Sequence, residues 1–303
     1  MRLLVPQETR PGERRVAVVP STVSKFKQLG FEVLVQSGAG LASYASDTDY
    51  VSAGALIVPA EGMDDAFLGS DVVATVRPLD YARGKKLRAG AVAVSFLSPA
   101  IDVDTVRAAH DAGATALSFD LVPRISRAQS MDALTSQALV SGYRAALVAA
   151  DRLPKFFPLF MTAAGTIQPA KVLVLGAGVA GLQAIATAKR LGARVSAYDV
   201  RPASADEVKS MGATFITLDL ETLEGAGGYA REMTEDRSRR QRELLAPYVA
   251  EADALITTAA IPGRQAPLLV TRDMVEAMRP GTVRSEEHTS ELQSRQYLVC
   301  RLL

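Results

Sequence analysis

KVLVLGAGVAGLQAIATAKRLGARVSAYDV, residues 171–200, decides the fold of this chain. It opens on a short Val/Leu run that reads as a buried strand. It then passes through Gly-Ala-Gly-Val-Ala-Gly into a helical stretch and reaches a second strand, ARVSAY. Glycines at this spacing say little alone, but between a strand and a helix they form a dinucleotide-binding fingerprint. Gly176 then allows the tight turn, Gly178 the approach of backbone to a pyrophosphate, and Gly181 close packing of helix on strand. The first helical amides, at Val179 and Ala180, face the diphosphate, where the helix dipole favours negative charge. The second strand ends at Asp199 and Val200, with Asp199 eighteen residues after Gly181. A carboxylate there accepts hydrogen bonds from the adenosine ribose. It also repels a 2′-phosphate, so NAD(H) is expected over NADP(H). Arg201 works against that preference, since a nearby arginine is able to hold the phosphate.

The same grammar extends in both directions. RLLVP, EVLVQSG, ALIV, DVVATVR, AVAVSFL and ATALSFDLV read as buried strands before the fingerprint, and ATFITL and ADALITT after it. Helix-like segments lie between them, such as STVSKFKQLG, with Ser21 or Thr22 as the cap and Gly30 at the end. The expected fold is α/β: two Rossmann-like doubly wound parallel-sheet domains joined by a helix. Residues 1–135 form the first, and 136–283, with the linking helix, the second. FFPLFMTAAGTIQPA reads as a connector. After MVEAMRPGTV the pattern demands another buried strand, but RSEEHTSELQSRQYLVCRLL is polar where core is required. Residues 284–303 therefore read as a non-native tail, similar to the translation of a sequencing adapter, leaving the second domain truncated.

Bulk properties exclude several classes. With 48% hydrophobic and 22% charged residues, the chain has the makings of a sizeable core. A net charge of +1 gives no electrostatic case for nucleic acid as a partner. No apolar run approaches the ~20 residues of a spanning helix, and the charged start MRLLVPQETRPGERR is no secretory signal. The single cysteine, Cys300, excludes a disulfide framework and a cysteine-ligated metal site, and no metal is expected.

Two further stretches have an open reading at this level. RISRAQSMD, residues 124–132, packs Arg124, Arg127, Gln129 and Asp132 into nine positions; it is either a capping cluster that starts the linking helix or the face of a site. GGYAREMTEDRSRRQRE follows glycine-rich sequence and reads as a solvated loop entering a helix, with Gly225, Gly227 and Gly228 supplying backbone freedom.

From Met1 to about Val283 the chain resembles the NAD(H)-binding domain of proton-translocating NAD(P) transhydrogenase, the α subunit. PQETRPGERRVAVVP, PRISRAQSMDAL, GYRAAL, TAAGTIQPAKVLVLGAGVAGLQAIATAKRLGA, GGYAREM and TTAAIPGRQAPLLVTRDMV carry the likeness. The first and fourth are partly shared with alanine dehydrogenase; PRISRAQSMD and GGYAREM point to transhydrogenase. The resemblance implies that NADH bound here gives hydride to NADP⁺ on a β subunit or domain, while a membrane domain couples the transfer to proton movement. It implies a homodimer on the cytoplasmic side of a bacterial inner membrane. It also assigns Arg124, Gln129, Asp132 and Thr135 to the transfer face, Tyr229 to a lid, and Thr258 and Ala259 to the nucleotide site.

A substrate dehydrogenase needs a group that takes a proton as hydride leaves. Where alanine dehydrogenase supplies histidine and lysine, this chain has Ser98 and Thr75. His110 reads as a surface residue and Arg15 as half of an ion pair. Hydride exchange between two nicotinamides needs apposition and exclusion of water, but no acid or base. An alanine dehydrogenase-like oxidoreductase and a non-catalytic NAD-binding module are the alternatives.

Overall fold

The computed structural model describes residues 1–100, 102–123, 125–220, 235–259, 266–286 and 301–302. The chain divides into two compact units, Met1–Asp132 and Ala133–Leu303.

The first unit is a parallel sheet of β1 (Arg2–Val5), β2 (Glu32–Gln36), β3 (Leu56–Val58), β4 (Val72–Ala74), β5 (Val92–Ser95) and β6 (Thr115–Ser118). Their order is β3-β2-β1-β4-β5-β6, the doubly wound arrangement expected from the alternating apolar runs. The helices between them are α1 (Pro20–Gln28), α2 (Asp47–Ser52), α3 (Met63–Gly69), α4 (Tyr81–Gly84) and α5 (Val103–Asp111). Alternate residues of β1 serve opposite faces: Leu3 and Val5 join a core with Val23 and Tyr50, while Leu4 joins Phe67 and Val73. The expected cap of α1 is different. Val19 holds the N-cap position without a side-chain bond, Pro20 opens the helix, and the Thr22 hydroxyl donates back to the Val19 carbonyl at 2.8 Å. Proline suits this first position because its missing N–H would have had no partner there.

The second unit opens on α6 (Ala133–Arg152), followed by a two-stranded hairpin, β7 (Phe160–Thr162) and β8 (Gly165–Ile167). In sequence this segment reads as a connector, because every residue of both strands is exposed and no buried face gives period-two patterning. The sheet consists of β9 (Lys171–Leu175), β10 (Arg194–Tyr198), β11 (Thr214–Phe215), β12 (Ala254–Thr257), β13 (Val283–Glu286) and β14 (Arg301–Leu302), in the order β11-β10-β9-β12-β13-β14. All neighbours are parallel except β14, which runs antiparallel to β13. Helices α7 (Val179–Arg190), α8 (Ser204–Ser210), α9 (Glu235–Glu251) and α10 (Arg272–Glu276) complete the described elements.

Central strand β9 is buried on both faces, as parallel strands usually are. Val172 and Val174 pack with Ala145 and Ala149 of α6 and Ala184 and Ile185 of α7, while Leu173 and Leu175 pack with Leu245 and Val249 of α9. The α6–α7 contact depends on Gly142, where a Cβ would lie 2.0 Å from the Ala180 carbonyl oxygen.

The sheet continues past Val283 through residues 284–286. β13 pairs with β12 from Val283–Ala254 through Glu286–Thr257, and Ser285 is fully buried. The exposed edge of β12 offers backbone donors and acceptors that any side-chain sequence is able to satisfy. Side-chain chemistry still records the mismatch. Among the described residues the buried Ser285 hydroxyl has no hydrogen-bond partner, a cost of about 1–3 kcal/mol for an unsatisfied group. Residues 287–300, with Cys300, lie outside the described residues.

Candidate functional site

The carboxyl ends of β9, β10 and β12 bring the residues of the candidate site together. The Gly176 amide donates to the Tyr198 carbonyl at 2.8 Å and turns the chain out of β9 at φ +101°, a conformation open to glycine. A Cβ here would also crowd the backbone of Thr258 and Ala259 at 2.9 Å. Gly178 is the N-cap of α7, and a Cβ built on it meets nothing within 4 Å. That open space is what backbone approach by a diphosphate requires. Val179 and Ala180 begin α7, and its first turn carries no acidic residue to repel an anion. Gly181 lies so close to the loop that a Cβ would be 1.9 Å from the Gly176 carbonyl oxygen. Thr258, 8% exposed, donates its hydroxyl to that same oxygen at 2.8 Å, and Ala259 follows it, half-buried. The loop is thus pinned from β12 as well as from β10.

Asp199 departs from the simple expectation of an open ribose acceptor. Its side chain is 8% exposed and already accepts four hydrogen bonds. Oδ2 takes the Ala177 amide at 2.7 Å and Arg201 Nη2 at 3.1 Å, while Oδ1 takes the Arg201 amide and Nε, both at 2.9 Å. Arg201 is held in its charged form chiefly by these bonds, which raise its pKa. Val200, between them, is half-buried. This lock was not legible from residue types, since it depends on which way two side chains turn on one loop.

A second unforeseen group lies on α9. Leu245 and Val249 face the sheet, and one turn earlier Gln241, 1% exposed, has both amide atoms without a hydrogen-bond partner among the described residues. Arg237 Nε, a further turn back, is also buried and has no partner among the described residues. Burial pushes the Tyr198 hydroxyl up to about 12, and the Arg237 charge opposes that rise.

In the first unit, residues Ser126–Met131 of the RISRAQSMD stretch form a 3-10 helix. Ala128 is its buried anchor, Gln129 is exposed, and Asp132, half-buried, ends it. Thr135 stands half-buried in the first turn of α6, in the second unit. Arg124 and Tyr229 lie outside the described residues.

The positions where proton transfer would be sought are occupied otherwise. Thr75 is 6% exposed in the strand region, and Ser98, at φ +47°, donates its amide to Asp120 at 2.8 Å. The His110 side chain is 88% exposed beside Asp111, a surface residue as expected. Arg15 forks onto Glu13 through Nε at 2.7 Å and Nη2 at 2.6 Å, the ion pair expected for it. Burial acts to raise the Glu13 pKa, but hydrogen bonds from Arg15 and the charge of Arg77 leave it below the ordinary value. Among the described residues no cluster of side chains suits a metal, and no helix is long and apolar enough to cross a membrane.

Residues 4–141 match the alanine dehydrogenase/PNT N-terminal domain, and residues 145–284 match the alanine dehydrogenase/PNT C-terminal domain. The chain belongs to the alanine dehydrogenase/PNT family. Within it, the chain is 47% identical over 291 residues to an NAD(P) transhydrogenase subunit alpha polypeptide of Rhodospirillum rubrum, covering 93% of this chain and 75% of that one. Identity to alanine dehydrogenase of Mycobacterium tuberculosis is 31% over 286 residues, covering 93% of this chain and 71% of the relative. The crystal structure of transhydrogenase from Sinorhizobium meliloti superposes with a TM-score of 0.81 at 42% identity, covering 94% of this chain and 77% of that one. The two Rossmann-like units are therefore those of the alanine dehydrogenase/PNT family, an NAD-binding oxidoreductase fold.

Proposed function

We propose that the chain is the NAD(H)-binding component of a proton-translocating NAD(P) transhydrogenase, passing hydride from NADH to NADP⁺ held on a partner subunit or domain. The observation that carries this reading is Ser98 and Thr75 at the positions where a substrate dehydrogenase of the family needs an acid and a base. NADH supplies the hydride; the chain's own residues bind, orient and exclude water. The amides of Val179 and Ala180 and the space over Gly178 receive the diphosphate, while Asp199 reads the adenosine ribose. Gln129, Asp132 and Thr135 are assigned to the transfer step, together with Arg124, and Tyr229 to the nucleotide. A membrane domain and an NADP(H)-binding partner complete the assembly, on the cytoplasmic side of the inner membrane.

The chain is expected to bind NADH more tightly than NADPH. Asp199→Ala should narrow that gap by roughly 1 kcal/mol or more, the scale of a hydrogen bond to a charged group. Fluorescence titration of both nucleotides tests this, and equal affinities in the unmutated protein would remove the assignment.

We also propose that a second copy of the chain covers the hairpin. Phe156, Leu159, Phe160, Met161 and Ile167 are exposed, and the segment from Pro158 to Ala170 holds no charge to attract a charged partner. Leu139, Val140 and Tyr143 of α6 are exposed as well. A bare two-stranded hairpin is at best marginally stable, and a two-fold dimer meets such a surface with itself. Light scattering should report a dimer for the unmutated protein and a monomer for Met161→Glu combined with Phe160→Glu. A monomeric unmutated protein at micromolar concentration would overturn this.

A further inference from the structure

Asp199 shares its loop with a cation that saturates it. A carboxylate offers about four acceptor sites, and here one is filled by the glycine-loop amide of Ala177 and three by Arg201. The pair is net neutral, largely buried and bidentate, the geometry in which guanidinium and carboxylate bind most strongly. Repulsion of a 2′-phosphate by Asp199, the usual basis for preferring NAD, is therefore offset at its source. The ribose hydroxyls, for their part, find no vacant acceptor until Arg201 yields one.

We infer that Arg201 sets how strictly this site discriminates between NADH and NADPH, acting through Asp199. The inference rests on the proposed nucleotide site. With Arg201 in place, Asp199 is neutralised and the guanidinium stands beside the 2′ position, so discrimination is moderate. Without it, a buried carboxylate is left with two backbone amides and regains open acceptor sites. Ribose hydroxyls relieve that state, whereas a 2′-phosphate meets a bare negative charge.

The counterintuitive consequence is that removing the arginine sharpens the preference for NADH. Titration of the full chain with both nucleotides should show NADPH affinity falling at least about tenfold in Arg201→Gln, a modest figure for one charge beside a phosphate. NADH affinity should hold or tighten, and the NADH-induced rise in melting temperature should grow. Arg201→Lys keeps the charge and should leave the ratio of affinities within about threefold of the unmutated chain, though it loses the fork. A purely structural arginine would weaken both nucleotides together and leave their ratio alone. An unchanged or narrowed ratio in Arg201→Gln overturns the inference while the nucleotide site stands. If Arg201→Gln does not fold, the salt dependence of the unmutated chain decides. NADPH affinity should fall more steeply with salt than NADH affinity, because its extra phosphate meets a partly exposed guanidinium, and equal slopes overturn it. Failure of the unmutated chain to bind either nucleotide defeats the proposed function, and this inference with it.

Discussion

Gly181→Ala will destabilise the second unit by about 3 kcal/mol or more, the upper end of overpacking costs, and will abolish NADH binding. The added methyl would sit 1.9 Å from the Gly176 carbonyl oxygen, 2.8 Å from its carbonyl carbon and 2.8 Å from Thr258 Oγ1. Two of these are backbone atoms, so no rotamer change relieves the clash; α7 must move away from the loop. The loop cannot follow, because Tyr198 and Thr258 bond it to β10 and β12. For a unit of this size the melting temperature should drop by roughly 6–12 °C.

Gly178→Ala is the control that separates packing from binding. Its Cβ meets nothing within 4 Å, and its backbone, at φ −75°, suits alanine. Stability should stay within about 0.5 kcal/mol of the unmutated protein. NADH affinity should nevertheless fall, because the methyl enters the space assigned to the diphosphate. Thermal melts by circular dichroism and NADH titration on both variants provide the test. Equal melting temperatures would show that close helix–strand approach is not what Gly181 is for.

What the sequence made legible follows from how the information is stored. The strands of both sheets announced themselves because they are buried and rich in Val and Leu, and the glycine spacing identified the turn between β9 and α7. Features set by side-chain direction did not. Asp199 and Arg201 are two residues apart in either reading, yet only the folded loop shows three bonds joining them. Gln241 belongs by position to the same stripe as Leu245 and Val249, and nothing in its residue type signals burial without a partner. The hairpin was hidden for the opposite reason: with both faces exposed, it has no periodicity to read. β13 runs past the expected boundary because ladder hydrogen bonds do not depend on side chains, while its buried Ser285 hydroxyl shows why polarity suggested a stop.

The stretch from 124 to 132 allows the sharpest separation of a capping role from a reactive one. Gln129 is exposed on its 3-10 turn, and its side chain makes no hydrogen bond among the described residues. Gln129→Ala should therefore leave stability within about 0.5 kcal/mol. Asp132 is half-buried immediately before α6, where a side-chain oxygen can cap, so Asp132→Ala should lower stability by ~1 kcal/mol. Asp132→Asn keeps a side-chain oxygen able to cap and removes the charge. If this face serves hydride transfer, Gln129→Ala and Asp132→Asn slow NADH-to-NADP⁺ transfer in the reconstituted complex by about a hundredfold, the effect of a ~1 Å misplacement of reacting groups. NADH binding should change far less, because the proposed site assigns the adenosine and diphosphate end to the separate loop from Gly176 to Gly181 and to Asp199. Single-turnover stopped-flow rates beside melting curves resolve the two roles. A capping cluster alone predicts full transfer rates per folded molecule in Gln129→Ala and Asp132→Asn, with losses confined to the melting temperatures of the Asp132 variants. Slow transfer at unchanged stability in Gln129→Ala has no explanation in capping, since that side chain caps nothing among the described residues.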